Sequence, residues 1–485
     1  MEKKRYLTLA DNGFLLTETS KSPKHIAGLQ VYQKPKGAPS TFVKNLADTW
    51  SKENSVCAPY NLLLNTKNPL SPYWSEYQDF KASEHLTLLM LNEGSREELY
   101  ELISKTHEPV LDRSKPLWQC YLVDGLSNDR FAIYISFHHS LLDGVSAGKI
   151  MQQGLSNTPA EKGRPPFWAM MDNPYNKTSK RPKPKFIAKI ANIASSNVKA
   201  AYGLSRISTQ LCLEAAGLTK NAISLPFTAA PTPLTGSVTA KRGFTTASLP
   251  MDRVNHLRKI TRNTLNHIAL TCLDGALHRY LDYIGNPTDA TLTITMPVSL
   301  RKEDAKAGGN QIGLVATQLA PKTDDPIIRL REIGVSLQAV RNQIDDSPAS
   351  SIQTYSLATN GLAQLFDSTN ASEILPALSH TIVSNVPGPK NALYLEGAEL
   401  IGWYPVSTLG PGHRLNVTMF SYNGKLDFGI IAASDYLPDL NVLGRYIYEE
   451  FEELEKVIKS PDMGTELLAK KRQHQNSQLG KQALN

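Results

Sequence analysis

The sequence predicts an α/β protein in which two α/β blocks flank a basic, proline-rich connecting segment. Both blocks combine helix-capping residues with strands of alternating apolar residues, whereas the middle segment has the composition of a linker. The chain has 485 residues, 41% hydrophobic and 20% charged, which is enough for two domains of ordinary size. We expect the first block over residues 1–158, the connecting segment over 159–235, the second block over 236–460 and a polar tail over 461–485.

In the first block, local signals predict a helix and two strands. Ser95 and Glu98 have the spacing of a capping box, and the helix that they open ends before Pro109. Strands are predicted at 117–123 and 130–137, and the second strand is apolar on both faces. Such a strand is typical of the centre of a sheet that is covered on both sides.

The connecting segment carries the excess charge of the protein. The chain has 52 Lys and Arg against 45 Asp and Glu, a net charge of +7. Residues 161–220 alone hold eleven basic and three acidic residues, so the rest of the chain is nearly neutral. Apolar residues at helical spacing over 186–214 predict an amphipathic helix there. A general attraction to nucleic acid is therefore not indicated.

The second block begins with two capped helices. Asp252 is predicted to cap the first helix, and Thr264 caps a longer one that ends at Gly285. The remaining predicted elements are a strand over 291–296, a hairpin of strands 415–421 and 425–431 around Asn423-Gly424, and a helix over 441–458.

The composition argues against several classes of protein. No apolar run approaches the roughly 20 residues of a membrane-spanning helix, and no apolar leader follows the charged start of the chain. We therefore expect an intracellular protein. The cysteines lie far apart, without a Cys-x-x-Cys pair, which argues against a disulfide framework and a zinc site.

The chemistry is expected at His138-His139-Ser-Leu-Leu-Asp143-Gly144, directly after the buried strand. Adjacent side chains of an extended segment point to opposite faces, so only one of the two histidines faces a given cleft. A neutral imidazole in such a cleft is a natural general base near pH 7. Asp143 is placed to fix the imidazole or to pin the loop, and Gly144 permits a turn that does not obstruct a substrate.

Two other interpretations of these residues stay open at this point. Two histidines and an aspartate are metal-binding residue types, although consecutive strand residues diverge and no further histidine cluster is nearby; we expect no metal. A buried histidine that hydrogen-bonds to the backbone is the more general alternative.

The pattern His-His-x-x-x-Asp-Gly is the signature of a superfamily of CoA-dependent and carrier-dependent acyltransferases. Over roughly residues 5–455 the chain resembles one branch, the bacterial wax ester synthase/acyl-CoA:diacylglycerol acyltransferases. The other segments that carry the resemblance are Pro23 to Leu29, Pro116-Leu117-Trp118, Met296 to Arg301, Gly309 to Gly313, Ser384 to Pro389, Leu415-Asn416 and Ser421-Tyr422.

The resemblance implies transfer of a fatty acyl group from acyl-CoA, as a substrate and without a cofactor, to a long-chain alcohol or diacylglycerol. It implies two chloramphenicol-acetyltransferase-like subdomains with a substrate tunnel at their interface. His139 would remove the proton of the attacking hydroxyl, so no acyl-enzyme is required, and His138 completes the motif. Arg301 is the expected partner of Asp143, which favours an architectural role for Asp143 over a proton relay.

Further binding residues follow from the same resemblance. Asn310, Ser384 and Asn385 are candidate donors to the oxyanion. Pro116, Leu117 and Trp118 have two interpretations, packing at the start of a strand or shaping of the acyl channel.

One position departs from the pattern of the family. Asn266 is followed by His267, where this branch usually has aspartate. Residue 267 is the third residue of the helix that Thr264 caps, where an acid suits the positive helix end and a neutral imidazole gains less. We expect activity to survive this substitution.

An acyltransferase for lipids must work at a lipid surface. The basic stretch 177–207 is therefore a candidate peripheral anchor to the inner membrane face or to lipid droplets. A packed interdomain helix with solvated lysines, or a contact with CoA phosphates, are its alternatives. Two other functions also stay open, namely a related enzyme that acylates a small polar or carrier-bound acceptor, and a non-catalytic lipid-surface protein. The sequence does not decide between wax ester and triacylglycerol.

Overall fold

The computed structural model describes residues 4–68, 71–170, 226–299, 312–347, 349–368 and 371–460. The basic stretch 177–207, the helix predicted within 186–214 and the tail 461–485 lie outside the described residues, as do Arg301 and Asn310. Within the described ranges the chain forms two six-stranded sheets, a three-stranded sheet and the helices that cover them. In the same ranges, every helix is too short or too polar to cross a bilayer.

The first six-stranded sheet holds the His-His motif. In spatial order its strands are β12 (Tyr394–Leu395), β13 (Ala398–Val406), β2 (His25–Gln33), β7 (Arg130–His138), β6 (Trp118–Leu126) and β5 (Leu86–Met90). β7 lies between β2 and β6 and is buried along nearly its whole length, which confirms the prediction of a central strand. The pairing of β2 with β7 places His25 opposite His138.

Several helices and a small sheet accompany the first sheet. They are α1 (Leu9–Thr17), α2 (Phe42–Trp50), α3 (Arg96–Thr106), α4 (Gly144–Gln153) and the strands β1 (Arg5–Tyr6), β3 (Leu62–Asn65) and β4 (Tyr73–Glu76). α3 begins as predicted, because the side chain of Ser95 accepts a hydrogen bond from the backbone nitrogen of Glu98 at 3.1 Å. The Glu98 carboxylate does not close the predicted box and instead accepts hydrogen bonds from the backbone of the preceding loop.

The second six-stranded sheet belongs to the later part of the chain. In spatial order its strands are β10 (Ile312–Gln318), β9 (Thr293–Ser299), β11 (Thr381–Pro387), β14 (Leu415–Tyr422), β15 (Lys425–Ala433) and β8 (Arg242–Pro250). The predicted hairpin joins β14 to β15, and Asn423 and Gly424 have positive φ angles of 40° and 74°, as its tight turn requires.

The helices of the second subdomain confirm one of the two predicted N-caps. They are α5 (Met251–Thr261), α6 (Leu265–Tyr283), α7 (Pro326–Asp346), α8 (Ala349–Ser368) and α9 (Asn441–Lys459). Thr264 caps α6 as predicted. The prediction that Asp252 caps α5 is wrong, because the helix starts one residue earlier and Pro250 occupies the N-cap position. Asp252 lies in the first turn instead.

One strand joins the two subdomains. β13 follows most of the second sheet in sequence, yet it pairs antiparallel with the free edge of β2 in the first sheet. It also packs against β15, where a Cβ at Gly429 would overlap the carbonyl oxygen of Pro405. The predicted division at residues 236 and 460 therefore does not coincide with the division into sheets, because strand pairing follows the open edge of β2 and not the chain order.

Candidate active site

The loop after β7 is held by backbone hydrogen bonds on both sides. The nitrogen of His138 donates to the carbonyl of Leu117 at 3.0 Å, and that of His139 donates to the carbonyl of Lys24 at 2.8 Å. Leu117 belongs to the Pro-Leu-Trp segment, and Lys24 to the segment that begins at Pro23. Two of the segments that carry the family resemblance thus support the histidine loop directly.

His139 is half-buried, and its ring stacks on Phe14 of α1 with the ring centroids 4.0 Å apart and an angle of 7° between the planes. Burial lowers the pKa of His139 below 6.5, while an interaction with its own backbone and the charge of Asp143 act in the opposite direction. The imidazole is therefore neutral at pH 7, the state in which it can accept a proton.

His138 is fully buried and makes a different set of contacts. Its Nδ1 lies 2.6 Å from the hydroxyl oxygen of Ser140 and accepts a hydrogen bond from the backbone nitrogen of the same residue at 3.1 Å. Its Nε2 lies 3.3 Å from Oε1 of Glu18. The sequence analysis missed Glu18. The available signal was an acid directly after an apolar helix, at the end that disfavours negative charge, but nothing local indicates that it meets His138.

Asp143 caps α4. Its Oδ1 accepts a hydrogen bond from the backbone nitrogen of Ser146 at 2.7 Å, which places the carboxylate at the positive end of the helix. Gly144 is the first residue of α4 and does not form the predicted turn. A Cβ at Gly144 would meet no atom within 4 Å, so the space beside it is open among the described residues. Asp143 thus has an architectural contact, while Arg301, its predicted partner, is not described.

The Pro116-Leu117-Trp118 segment lies in the core of the first subdomain. Leu117 and Trp118 are 0% and 1% exposed. The indole nitrogen of Trp118 donates to the carbonyl of Tyr60 at 2.9 Å, and its ring stacks on His85 with the centroids 4.5 Å apart. These contacts favour the packing interpretation over the acyl-channel interpretation.

Asn385 and Asn266 meet across two elements, whereas Ser384 points elsewhere. Nδ2 of Asn385, on β11, donates to Oδ1 of Asn266, in the first turn of α6, at 2.7 Å. Ser384 faces the other side of β11 because neighbouring strand residues alternate. Val386 shares that side and packs against the hydrophobic cluster that joins the core of the first subdomain to Phe420 and Tyr422 of β14. Of the two described oxyanion candidates, Ser384 therefore faces the first subdomain and Asn385 faces α6.

His267 replaces the usual acid at the start of α6 and gives weaker support. Its Nδ1 lies 2.6 Å from Oδ1 of Asn263 and 3.5 Å from the backbone nitrogen of Thr264. One ring nitrogen cannot donate to the first and accept from the second, so the shorter contact makes Nδ1 a donor. Burial lowers the pKa of His267, which keeps the imidazole neutral. The helix end thus lacks the favourable negative charge of an acid.

In the part of the chain that the structure describes, no three His, Cys, Asp or Glu side chains come together in a way that could hold a metal ion.

Two six-stranded sheets, the first completed by strands from the later part of the chain, with a His-His-x-x-x-Asp-Gly loop at the end of a central strand, define the two-subdomain fold of the acyltransferase and condensation-domain class. The first condensation domain of the calcium-dependent antibiotic synthetase has this fold, with a TM-score of 0.54 and 14% identity over 93% of this chain and 97% of that chain.

The family is defined by closer matches. Residues 7–269 match the wax ester synthase/diacylglycerol acyltransferase catalytic domain, and residues 308–455 match the C-terminal domain of the same family. The O-acyltransferase WSD of Acinetobacter baylyi is 32% identical over 457 residues, which cover 93% of this chain and 97% of that protein. The wax ester synthase/diacylglycerol acyltransferase from Marinobacter aquaeolei VT8 has a TM-score of 0.71 and 26% identity over 93% of this chain and 98% of that chain. The chain therefore belongs to the wax ester synthase/diacylglycerol acyltransferase family and is an O-acyltransferase.

Proposed function

We propose that the protein transfers a fatty acyl group from acyl-CoA to the hydroxyl of a long-chain alcohol or of diacylglycerol, giving a wax ester or triacylglycerol. The observation that carries this proposal is the neutral, half-buried His139 at the end of β7, in a chain that matches the family along both of its domains. The name of the Marinobacter relative supports both activities, and that of the Acinetobacter relative supports O-acyl transfer.

His139 acts as the general base in this proposal. Its imidazole takes the hydroxyl proton as the hydroxyl oxygen attacks the thioester carbonyl. The new C–O bond forms, the C–S bond breaks, and the CoA thiolate recovers the proton from the imidazolium. No acyl-enzyme and no cofactor take part, because the alcohol is the nucleophile and the thiol is the leaving group. Stacking on Phe14 limits rotation of the imidazole, which holds it ready for the incoming hydroxyl.

We assign the substrates to a tunnel between the two subdomains. α4, which starts directly after Asp143, packs against β11 of the second sheet, so the histidine loop lies next to this junction. Ser384 is the described oxyanion candidate that faces the first subdomain, whereas Asn385 is engaged with Asn266. Asn310 is a further candidate on its sequence alone.

The assignment is tested by the variant His139→Ala in a CoA-release assay with palmitoyl-CoA. Loss of a positioned general base is expected to lower turnover by about 10²-fold to 10⁴-fold in a folded protein. His256→Ala, which removes an exposed histidine of α5, is the matched control and is expected to leave turnover unchanged. A His139→Ala variant within about threefold of the wild type would end the assignment.

The choice of acceptor separates this function from that of a related enzyme with a polar acceptor. We expect CoA release with hexadecanol and with diacylglycerol, and little with a polar alcohol of low molecular mass. Release with the polar alcohol alone would favour the related enzyme, and vesicle binding without any release would favour a non-catalytic lipid-surface protein.

We further propose that the protein associates peripherally with the inner membrane face or with lipid droplets through the stretch 177–207. This stretch lies outside the described residues, and the support is its sequence, in which basic residues alternate with apolar residues at helical spacing. Charge reversal is expected to abolish co-sedimentation with anionic vesicles, because the lysines would no longer meet the headgroups. Acylation of a detergent-dispersed alcohol is expected to continue. The residues to be changed to Glu are Lys180, Arg181, Lys183, Lys185 and Lys189. Unchanged sedimentation would contradict the anchor and would show that the basic residues belong to the connecting segment without binding vesicles.

A further inference from the structure

A buried carboxylate that the proposed reaction does not use lies behind the histidine loop. Glu18 follows the last residue of α1, and its side chain is 3% exposed, while that of His138 is fully buried. Its Oε1 lies 3.3 Å from Nε2 of His138 and accepts a hydrogen bond from the backbone nitrogen of Lys24 at 3.0 Å. Its Oε2 accepts a hydrogen bond from the guanidinium of Arg113 at 2.9 Å. This carboxylate therefore accepts hydrogen bonds from Lys24 and Arg113, and its remaining neighbour is the ring of His138.

These donors keep Glu18 ionised. Burial alone would raise the pKa of the carboxyl group, but its interactions with His138, Lys24 and Arg113 outweigh burial and lower the pKa to about 2. A negative charge at this depth is stable because it is shared among several fixed donors.

The same contacts fix the proton of the His138 ring. Nδ1 lies 2.6 Å from the hydroxyl oxygen of Ser140 and 3.1 Å from the backbone nitrogen of the same residue. The backbone N–H can only donate and the hydroxyl can donate as well, so both contacts fit an Nδ1 that accepts. The Glu18 carboxylate on the other side of the ring can only accept. The ring proton is then on Nε2, which is the nitrogen that faces the Glu18 carboxylate. The ring of His138 thus links the turn at Ser140 to the end of α1.

Glu18 is connected to three segments that surround His139. α1 connects it to Phe14, whose ring stacks on His139. His138 connects it to the residue directly before His139. Lys24, whose nitrogen Glu18 binds, accepts the backbone N–H of His139 at 2.8 Å. One carboxylate therefore ties together α1, the segment before β2 and the loop after β7.

We propose that Glu18 is a positioning residue that holds His138 in its Nε2–H form and thereby sets the orientation of His139 against Phe14. This inference rests on the proposed role of His139 as the base. A carboxylate that merely stabilised the fold would change the unfolding midpoint and would leave the turnover of the folded enzyme unchanged.

The first test compares Glu18→Gln, His138→Gln and the double variant by CoA release. A glutamine at position 18 presents an amide NH₂ to a set of donors, so one contact is lost and the loop loosens. We expect kcat to fall by about 10-fold to 100-fold, with the KM for palmitoyl-CoA within about twofold of the wild type. Because Glu18 acts through His138, the double variant is expected to be no slower than the slower single variant.

The matched control is Glu84→Gln, which removes another carboxylate of the first subdomain, one that pairs with Lys115 at 3.3 Å. It is expected to leave kcat unchanged. Unchanged kcat in a folded Glu18→Gln variant, or losses that multiply in the double variant, would overturn the proposal.

The second test measures the tautomer in the wild-type protein and does not depend on activity. The ¹⁵N shifts of the His138 ring in the wild-type protein, assigned by their disappearance in His138→Gln or by selective labelling, are expected to show a protonated Nε2 and an unprotonated Nδ1. A proton on Nδ1 would contradict the proposal. If His139→Ala keeps its turnover, the proposed base is wrong, yet the tautomer still shows whether Glu18 holds His138.

Discussion

Trp118 allows the two interpretations of the Pro-Leu-Trp segment to be separated by one substitution. The variant Trp118→Phe keeps an aromatic ring at the start of β6 and removes the indole N–H that donates to the carbonyl of Tyr60 at 2.9 Å. If the side chain packs the core, the substitution lowers the free energy of unfolding. If it lines an acyl channel, the change appears in the choice of acyl chain.

The expected cost follows from two contributions. Loss of the indole donor from the buried carbonyl of Tyr60 costs about 1–3 kcal/mol. The phenyl ring is smaller than the indole by roughly 40 Å³, and at about 24 cal/mol per Å³ the resulting void adds about 1 kcal/mol. Trp118 is 1% exposed, so solvent does not fill the space. We therefore expect a loss of about 2–4 kcal/mol in the free energy of unfolding.

Urea unfolding followed by far-UV circular dichroism measures this loss. Trp74→Phe is the matched control, because Trp74 is 3% exposed in the same core and its indole makes no hydrogen bond among the described residues. The Trp74→Phe variant is expected to lose about 1 kcal/mol of the free energy of unfolding, from the void alone. An unchanged unfolding midpoint for Trp118→Phe, combined with an altered acyl-chain preference in the CoA-release assay, would refute the packing argument.

Two further predictions concern the histidine loop. Because burial lowers the pKa of His139, the base stays unprotonated to a lower pH than a free imidazole would, so kcat/KM is expected to decline with acid only at a lower pH than a free imidazole predicts; a decline that begins above pH 7 would contradict the lowered pKa. Asp143→Ala removes the cap of α4 and is expected to cost about 1 kcal/mol of stability, measured by thermal unfolding, with a much smaller loss of turnover than His139→Ala. A fully stable Asp143→Ala variant that is as inactive as His139→Ala would instead show a direct catalytic part for Asp143.

Elements with strong local signals could be predicted from the sequence. β7 is apolar on both faces, Thr264 has a side chain that suits an N-cap, and Asn423-Gly424 tolerates the positive φ angles of a tight hairpin. Each signal is contained within a few neighbouring residues. The prediction that Asp252 caps α5 is wrong because the helix begins one residue earlier than expected. A local sequence pattern does not fix a helix boundary to a single residue.

Contacts between distant parts of the chain could not be predicted. The loop sequence identifies His138 and His139, but the contact of Glu18 with His138 depends on how α1 packs against β7. The hydrogen bond between Asn385 and Asn266 likewise joins a strand and a helix that are far apart in sequence. Such pairs form only when the sheets assemble, and a single sequence holds no periodicity that reports them.

The pairing of β13 with β2 also determines when the enzyme becomes complete during its synthesis. β2 is made near the beginning of translation, but the strand that covers its edge ends at Val406. Until then the backbone groups of that edge lack their final partner, and the first sheet is open to wrong pairing. A nascent chain that stops before residue 398 already contains the whole His-His motif, yet it lacks the strand that completes the sheet beneath it. Most of the chain must therefore be synthesised before the first sheet is complete and catalysis can begin.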